Sequence, residues 1–160
     1  MKAARFEYRP AASVEDAAAL LAGTADAKVL AGGQSLGPML NLRLARPALL
    51  VDVTRIAALK RIAEEGSHLV LGAGVTHAMI EDGAIPAAVG PAAAMLQSVA
   101  GGIAYRAVRT RGTIGGSLAH ADPAADWMTA LMALEAELLL RGPKKSRVVA
   151  LAEFMLGAFT

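Results

Sequence analysis

Two glycine-rich stretches, set far apart, constrain the fold of this chain more than any other feature. The first, Ala31-Gly32-Gly33-Gln34-Ser35-Leu36, follows directly on the apolar pair Val29-Leu30. A strand that runs into such a turn, with Ser35 placed to cap the next segment, gathers backbone N–H groups into a nest suited to phosphate oxygens. The second lies within RTRGTIGGSLAHADPAADW, residues 109 to 127, where Gly115-Gly116 reads as a turn flanked by the hydroxyls of Thr113 and Ser117. Adjacent glycines let a backbone bend and let a ligand reach the amides with no Cβ in the way. Asp122 and Asp126 stand either side of Pro123, where AADWMTALMALEA signals a helix start. One such turn is weak evidence. Two of them, each with hydroxyls alongside, point to a ligand long enough to touch both, a dinucleotide.

The periodicity around these stretches predicts how they are carried. Phe6 to Tyr8 reads as an edge strand stopped by Pro10, and Ser13-Val-Glu-Asp16 as a capping-box-like start for a helix buried through Ala17, Leu20 and Leu21 and ended by Gly23. Lys28 to Leu30 is a strand entering the first glycine turn. In LGPMLNLRLARP, Leu36, Leu40 and Leu44 are spaced for a helix that runs to Pro47, and Leu49 to Val53 is a continuous apolar strand of the buried kind. Alternation of this sort predicts a small βαβαβ lobe with a parallel sheet over residues 1–55. From Ile56 the pattern changes. Leu59 to Ile62 and His68 to Leu71 read as a hairpin about Glu64-Glu-Gly66, Thr76 as an N-cap, and PAAAMLQSVA as a helix begun by Pro91 and closed by Gly101-Gly102. A helix from Pro123 to about Glu135 and strands near Glu137 to Leu140 and Arg147 to Leu151 complete a larger lobe, residues 56–160, with an antiparallel sheet and flanking helices. The fold class is therefore α+β.

Here the residues resemble a known family. AGGQSLGPMLNLRLARP followed by LLVDVT resembles the first flavin motif of the FAD-binding, or medium, subunit of molybdenum hydroxylases, and TRGTIGGSLAHADPAAD the second. The likeness is to aerobic carbon-monoxide-dehydrogenase-type enzymes and, further off, to the flavin domain of xanthine dehydrogenase. It runs from about Phe6 to the C-terminus. The resemblance implies a two-lobed FAD-binding fold with FAD on this chain. Its pyrophosphate would lie on Ala31, Gly32, Gly33, Gln34, Ser35 and Leu36; Thr113, Ile114, Gly115, Gly116 and Ser117 would run along the pyrophosphate, ribityl chain and flavin, with Asp126 binding the cofactor's polar part and Asp122 a second candidate for it. It also implies an iron–sulfur small subunit with [2Fe-2S] clusters and a molybdopterin large subunit as partners. The flavin would then pass electrons from those clusters to a terminal acceptor, while substrate is oxidised at the molybdenum cofactor. Such chains normally continue into another strand and a C-terminal domain, so this one reads as C-terminally truncated.

Each residue also has a plainer account. The first stretch alone is a strand-to-helix turn, and the two aspartates are helix N-terminal charges worth a few tenths to about 1 kcal/mol. Arg106, Arg109 and Arg111 suit either an anionic cofactor or acidic partner, or a solvated loop; Lys144, Lys145 and Arg147 read as solvated. Ile103 matches an aromatic position in xanthine-dehydrogenase-like chains and offers only apolar contact. His68, His77 and His120 lack ligand spacing, and the chain has no cysteine, which removes disulfides, iron–sulfur clusters and thiolate zinc sites from it and fits the cytoplasm. No metal site and no catalytic nucleophile with a paired base is expected. A net charge of +2 is too small to argue for nucleic acid, and none is expected as a partner; the uncharged run Gly83 to Tyr105 is broken by Pro86, Pro91 and glycines, so no transmembrane segment is expected. The competing function is a non-redox nucleotide-binding or assembly module that holds no flavin by itself.

Overall fold

The computed structural model describes residues 2–159; Thr160, the last residue of the terminal EFMLGAFT stretch, lies outside them. Strands β1 (Glu7–Pro10), β2 (Ala27–Leu30) and β3 (Leu49–Asp52) form a parallel sheet in the order β1-β3-β2. The central strand explains why this lobe holds together. All four residues of β3 are buried, with Leu49 and Val51 in a cluster on one face and Leu50 in a cluster on the other. A strand covered on both faces needs an unbroken apolar run, which Leu49-Leu50-Val51 supplies. Helix α1 (Val14–Gly23) covers the first face through Ala17, Leu20 and Leu21. Its start is set as the sequence predicts: the Ser13 hydroxyl accepts from the Asp16 N–H at 3.1 Å, and the Asp16 carboxylate accepts from the Ala12 N–H at 2.9 Å.

Helix α2 (Leu36–Asn41) covers the other face through Leu40. It ends well before Pro47. Arg43 takes a left-handed conformation (φ 58°), and the N–H groups of Leu44 and Ala45 both turn back to the Met39 carbonyl. Leu44, expected on the buried face, is 73% exposed.

In the rest of the chain, β4 (Ile62–Glu65) and β5 (His68–Leu71) form the hairpin, three residues later than expected for the first strand and turning at Gly66-Ser67. Leu59 is held in a 3-10 turn, Ala57–Lys60, because its carbonyl accepts from the Gly74 N–H at 2.7 Å. Helices α3 (His77–Glu81), α4 (Pro91–Gly102), α5 (Arg106–Arg109), α6 (Ile114–His120) and α7 (Asp126–Ala133) follow, then the hairpin β6 (Glu137–Arg141) and β7 (Ser146–Ala150), and α8 (Leu151–Phe154). The antiparallel part is thus two separate two-stranded ribbons among the described residues. Between them lies the main core, built on Val75, Ile80, Leu96, Ile114, Trp127 and Leu151. Each large apolar side chain buried there contributes roughly 1.5–3 kcal/mol. Helix α4 starts with Pro at its first turn and ends at Gly102, as read from the sequence. Among the described residues no helix is long and apolar enough to cross a membrane.

Candidate cofactor site

The two glycine stretches meet. A Cβ on Gly32 would sit 2.0 Å from the Arg111 carbonyl oxygen and 2.8 Å from the Gly112 Cα, so only glycine lets the first loop lie directly on the entry to the second. A Cβ on Gly116 would be 3.8 Å from that of Ala31, a second point of approach. Gly33 has φ 70°, the left-handed region glycine enters without penalty. With that bend made, the first loop leaves its donors free. Among the described residues no backbone carbonyl accepts from the N–H groups of Gly32, Gly33, Gln34 or Ser35. Gln34 steadies the loop from within, its side-chain amide donating to the Gly32 carbonyl at 2.9 Å. Ser35 precedes α2 but does not cap it. Its backbone is already helical (φ −97°, ψ −47°), which turns the hydroxyl away from the following N–H groups. The Ser35 hydroxyl is exposed beside the free amides.

The second stretch is built differently. Gly115 and Gly116 do not form a turn. They are in the first turn of α6, and the buried Thr113 is its N-cap, its hydroxyl accepting from the Gly116 N–H at 3.1 Å. Sequence reasoning took adjacent glycines for a bend because they disfavour helix. Here the cap and the packing decide. A Cβ on Gly115 would lie 2.4 Å from that of Ala73, and the Gly115 N–H donates to the Ala73 carbonyl at 3.0 Å. Ile114 points into the main core, its N–H bonded to the Val75 carbonyl. Of the predicted residues here, Gly116 and Ser117 are the two that remain partly open to solvent without being filled against Ala73 or consumed as a cap.

Asp122 and Asp126 lie beyond the other end of α6, about 10 Å along it for seven residues. Asp122 closes a turn, accepting from the Ala124 N–H at 2.9 Å, and α7 begins at Asp126 rather than Pro123. Asp126 is the exposed first residue of that helix. The glycine pair and the carboxylates therefore sit at opposite ends of α6, so a ligand that touches both must run the length of that helix. His120 ends α6 with its ring 5.2 Å from that of Phe159, and Ile103 packs against the main core.

The arginine cluster is mostly spoken for. Arg106 pairs with Asp82 and Glu81, both at 2.6 Å, and Arg109 with Glu81 at 2.8 Å. Hydrogen bonds from Arg109 and Arg106 hold the Glu81 carboxyl below the usual range, and the bond from Arg106 does the same for Asp82. Arg109 also donates to the carbonyls of Ile103 and Ala104, tying the α4–α5 connection to α3. Arg111 is the exception: exposed, outside these ion pairs, and seated over Gly32.

Sequence reasoning missed two side chains. Asp52, at the end of β3, accepts from the Tyr8 hydroxyl and from the Thr54 N–H. Burial raises its pKa, but those bonds outweigh burial and the net shift is downward. His77 is 6% exposed; its Nδ1 accepts from the Trp127 indole N–H at 3.1 Å, and burial, with Arg109 nearby, pushes its pKa down to about 4. Tyr8 and Trp127 are both distant in sequence from the side chains they bond, so no local pattern announced these pairs.

A parallel lobe, capped helices and a first glycine loop with free amides seated on the start of the second stretch define the class of this molecule: an α+β domain of the FAD-binding type. Over residues 4–160 the chain matches, and belongs to, the family described as the FAD binding domain in molybdopterin dehydrogenase. FAD, the cofactor implied by the motifs, is the one by which that family is described. The carbon monoxide dehydrogenase medium chain of Hydrogenophaga pseudoflava is 44% identical over 156 residues, 97% of this chain and 53% of that protein. The 6-hydroxypseudooxynicotine dehydrogenase complex subunit alpha of Paenarthrobacter nicotinovorans is 42% identical over 160 residues, 99% of this chain and 53% of that protein. Among solved structures, the carbon monoxide dehydrogenase from Hydrogenophaga pseudoflava that lacks the Mo-pyranopterin moiety superposes with a TM-score of 0.93 at 43% identity, over 100% of this chain and 55% of that one. Quinoline 2-oxidoreductase from Pseudomonas putida 86 gives 0.92 at 37% identity, with the same shares covered. The chain spans about half the length of the curated relatives it matches.

Proposed function

We propose that this chain is the FAD-binding part of a molybdenum-containing hydroxylase of the aerobic carbon-monoxide-dehydrogenase type, an oxidoreductase working in the cytoplasm. One observation carries the reading. Gly32 closes on Arg111-Gly112 so tightly that the two loops form one cradle, yet the first loop keeps four backbone donors and the Ser35 hydroxyl unspent. Spare N–H groups beside a left-handed glycine are the donor set a pyrophosphate requires, so the residues present fit FAD. Gly32 to Ser35 would hold the pyrophosphate, with Ala31 and Leu36 shaping the loop ends. Thr113, Ile114, Gly115, Gly116 and Ser117 would form the adjoining wall. Asp126, and Asp122 behind it, would accept from hydroxyls at the far end of the ligand.

When bound, the flavin supplies electron exchange between an iron–sulfur partner and a terminal acceptor. The chain itself positions: its amides neutralise phosphate charge, and the buried face of α6 keeps the cradle in register with the core. A [2Fe-2S] small subunit and a molybdopterin large subunit are the proposed partners, with substrate oxidised on the latter. The proposed division is at residue 55/56, between the lobe built on the parallel sheet and the lobe built on the main core.

The test is the visible absorbance spectrum of the purified protein before and after incubation with excess FAD and desalting. A retained flavin band is expected. A folded protein that stays colourless at saturating FAD would remove the redox reading and return the molecule to a nucleotide-binding or assembly module.

A further inference from the structure

Behind the second glycine stretch lies a chain of contacts that the cofactor reading does not use. The Trp127 indole N–H donates to His77 Nδ1 at 3.1 Å, and both rings are buried, with centroids 5.8 Å apart. An indole nitrogen only donates, so Nδ1 is the bare nitrogen of the imidazole and the ring proton sits on Nε2. On its other side His77 meets Gly112: its backbone N–H donates to the Gly112 carbonyl at 3.0 Å, and a Cβ on Gly112 would lie 2.7 Å from Nε2. Gly112 is in turn the residue whose Cα, with the Arg111 carbonyl, receives Gly32 of the first loop. Trp127 follows directly on Asp126.

We infer that His77 is the positioning residue of the cofactor cradle, holding the glycine end of the second stretch through Gly112 and its carboxylate end through the neighbour of Asp126. The inference rests on the flavin reading above. His77 touches no cofactor atom in this role. It fixes the spacing between the cradle and Asp126, so that an elongated ligand finds both ends of its site already set and loses less freedom on binding. The lowered pKa of His77 agrees, since a protonated Nδ1 would have no lone pair for the indole.

Trp127 is the only tryptophan in the chain, so its indole resonance is unambiguous. In the full chain, the indole ¹H–¹⁵N signal and FAD affinity are measured for wild type, His77→Leu and His77→Asn. Asparagine offers an oxygen where Nδ1 stood; leucine offers nothing. We expect a solvent-protected indole signal in wild type that shifts on adding FAD. In His77→Leu protection is lost and FAD binds at least tenfold more weakly, and His77→Asn restores both to within about threefold. If His77→Leu fails to fold, Trp127→Phe, which keeps an aromatic ring but lacks the donor, carries the affinity test with the same tenfold loss expected. Wild type and a folded His77→Leu binding FAD within twofold of each other would overturn the positioning role alone. So would equal weakening in the leucine and asparagine variants. A wild type with a protected indole that takes up no FAD would overturn the flavin reading itself and reduce the clamp to a packing contact.

Discussion

The first and second glycine stretches look alike as sequence and do opposite physical work. In residues 31–36, glycine buys freedom for a ligand: Gly33 bends left-handed, the amides from Gly32 to Ser35 stay unpaired among the described residues, and the serine hydroxyl does not cap α2. In residues 112–117, glycine is consumed by the protein. Gly112 is filled against His77, Gly115 against Ala73, and the Thr113 hydroxyl is taken up by the Gly116 N–H. Gly32 belongs to both descriptions, since its own packing against Arg111 is what joins them. A glycine-rich motif therefore does not by itself mean a phosphate nest. Whether its amides are free decides that.

The sharpest way to break the contrast is to fill the seam. Gly32→Ala places a Cβ against backbone, which cannot move aside as a side-chain tip would, and a cost of about 3 kcal/mol is expected. Urea denaturation should show it in the absence of any flavin. An unchanged midpoint would mean that the loops are not joined as described.

Acid should act on the second region more than the first. His77 is buried and neutral, with a folded pKa of about 4 against 6.5 when free. The sign is fixed: above 6.5 neither state is protonated, and as pH falls through 6.5 towards 4 only the unfolded chain takes up the proton. Stability should fall over that window by on the order of 3 kcal/mol from this group, then level off. His77→Asn should flatten the pH 4–6.5 slope in thermal melts. A slope unaltered by that substitution would place the titrating group elsewhere. Glu81 and Asp82, both shifted down, release their own contributions at more acid pH.

Removing the cap on α6 is a smaller perturbation. Thr113→Val keeps the buried shape but leaves the Gly116 N–H without its acceptor, and about 1 kcal/mol of stability should go, while Thr113→Ser should cost less than half of that. Calorimetric melting temperatures for the pair would decide it; a loss confined to Thr113→Ser would assign the effect to packing of the threonine methyl instead.

Much of this molecule was legible before any coordinates, and what was not has a common cause. The parallel lobe could be read because its signals are local: Ser13 caps α1, Leu49 to Val51 form a covered strand, and turn residues separate them. Thr76 and Pro91 announced α3 and α4 in the same way. The pairing of the two glycine stretches is read from their shared glycines and hydroxyls and then from their likeness to a family, and the structure supplies the contact between them. Errors arose where a distant partner overrode a local rule. Leu44 has helical spacing, but the chain has already turned at Arg43. Leu59 looks like strand, but Gly74 claims its carbonyl. Gly115-Gly116 looks like a turn, but Ala73 and Thr113 hold it in a helix. Arg106 and Arg109 look like free charge, but Glu81 and Asp82 neutralise them.

The finest distinction between the two regions rests on hydroxyls. Ser35 and Thr113 each precede a helix that begins at the following residue, yet the sequence marks only Ser35 as a cap and reads Thr113 as a hydroxyl beside a turn. The structure separates them: Thr113 is extended (φ −120°, ψ 150°) and caps, whereas Ser35 is helical and does not. Ser35→Ala should therefore leave the unfolding midpoint within about 0.5 kcal/mol of wild type, because an exposed hydroxyl with no bond among the described residues is removed. Affinity for FAD should fall about fivefold, the loss of roughly one hydrogen bond to the ligand. Isothermal titration alongside chemical denaturation separates the two quantities. A drop in stability without FAD would show that Ser35 caps α2 after all, and the first stretch would then be a packed turn like the second. An unchanged affinity would leave the free amides as the whole of the first loop's contribution.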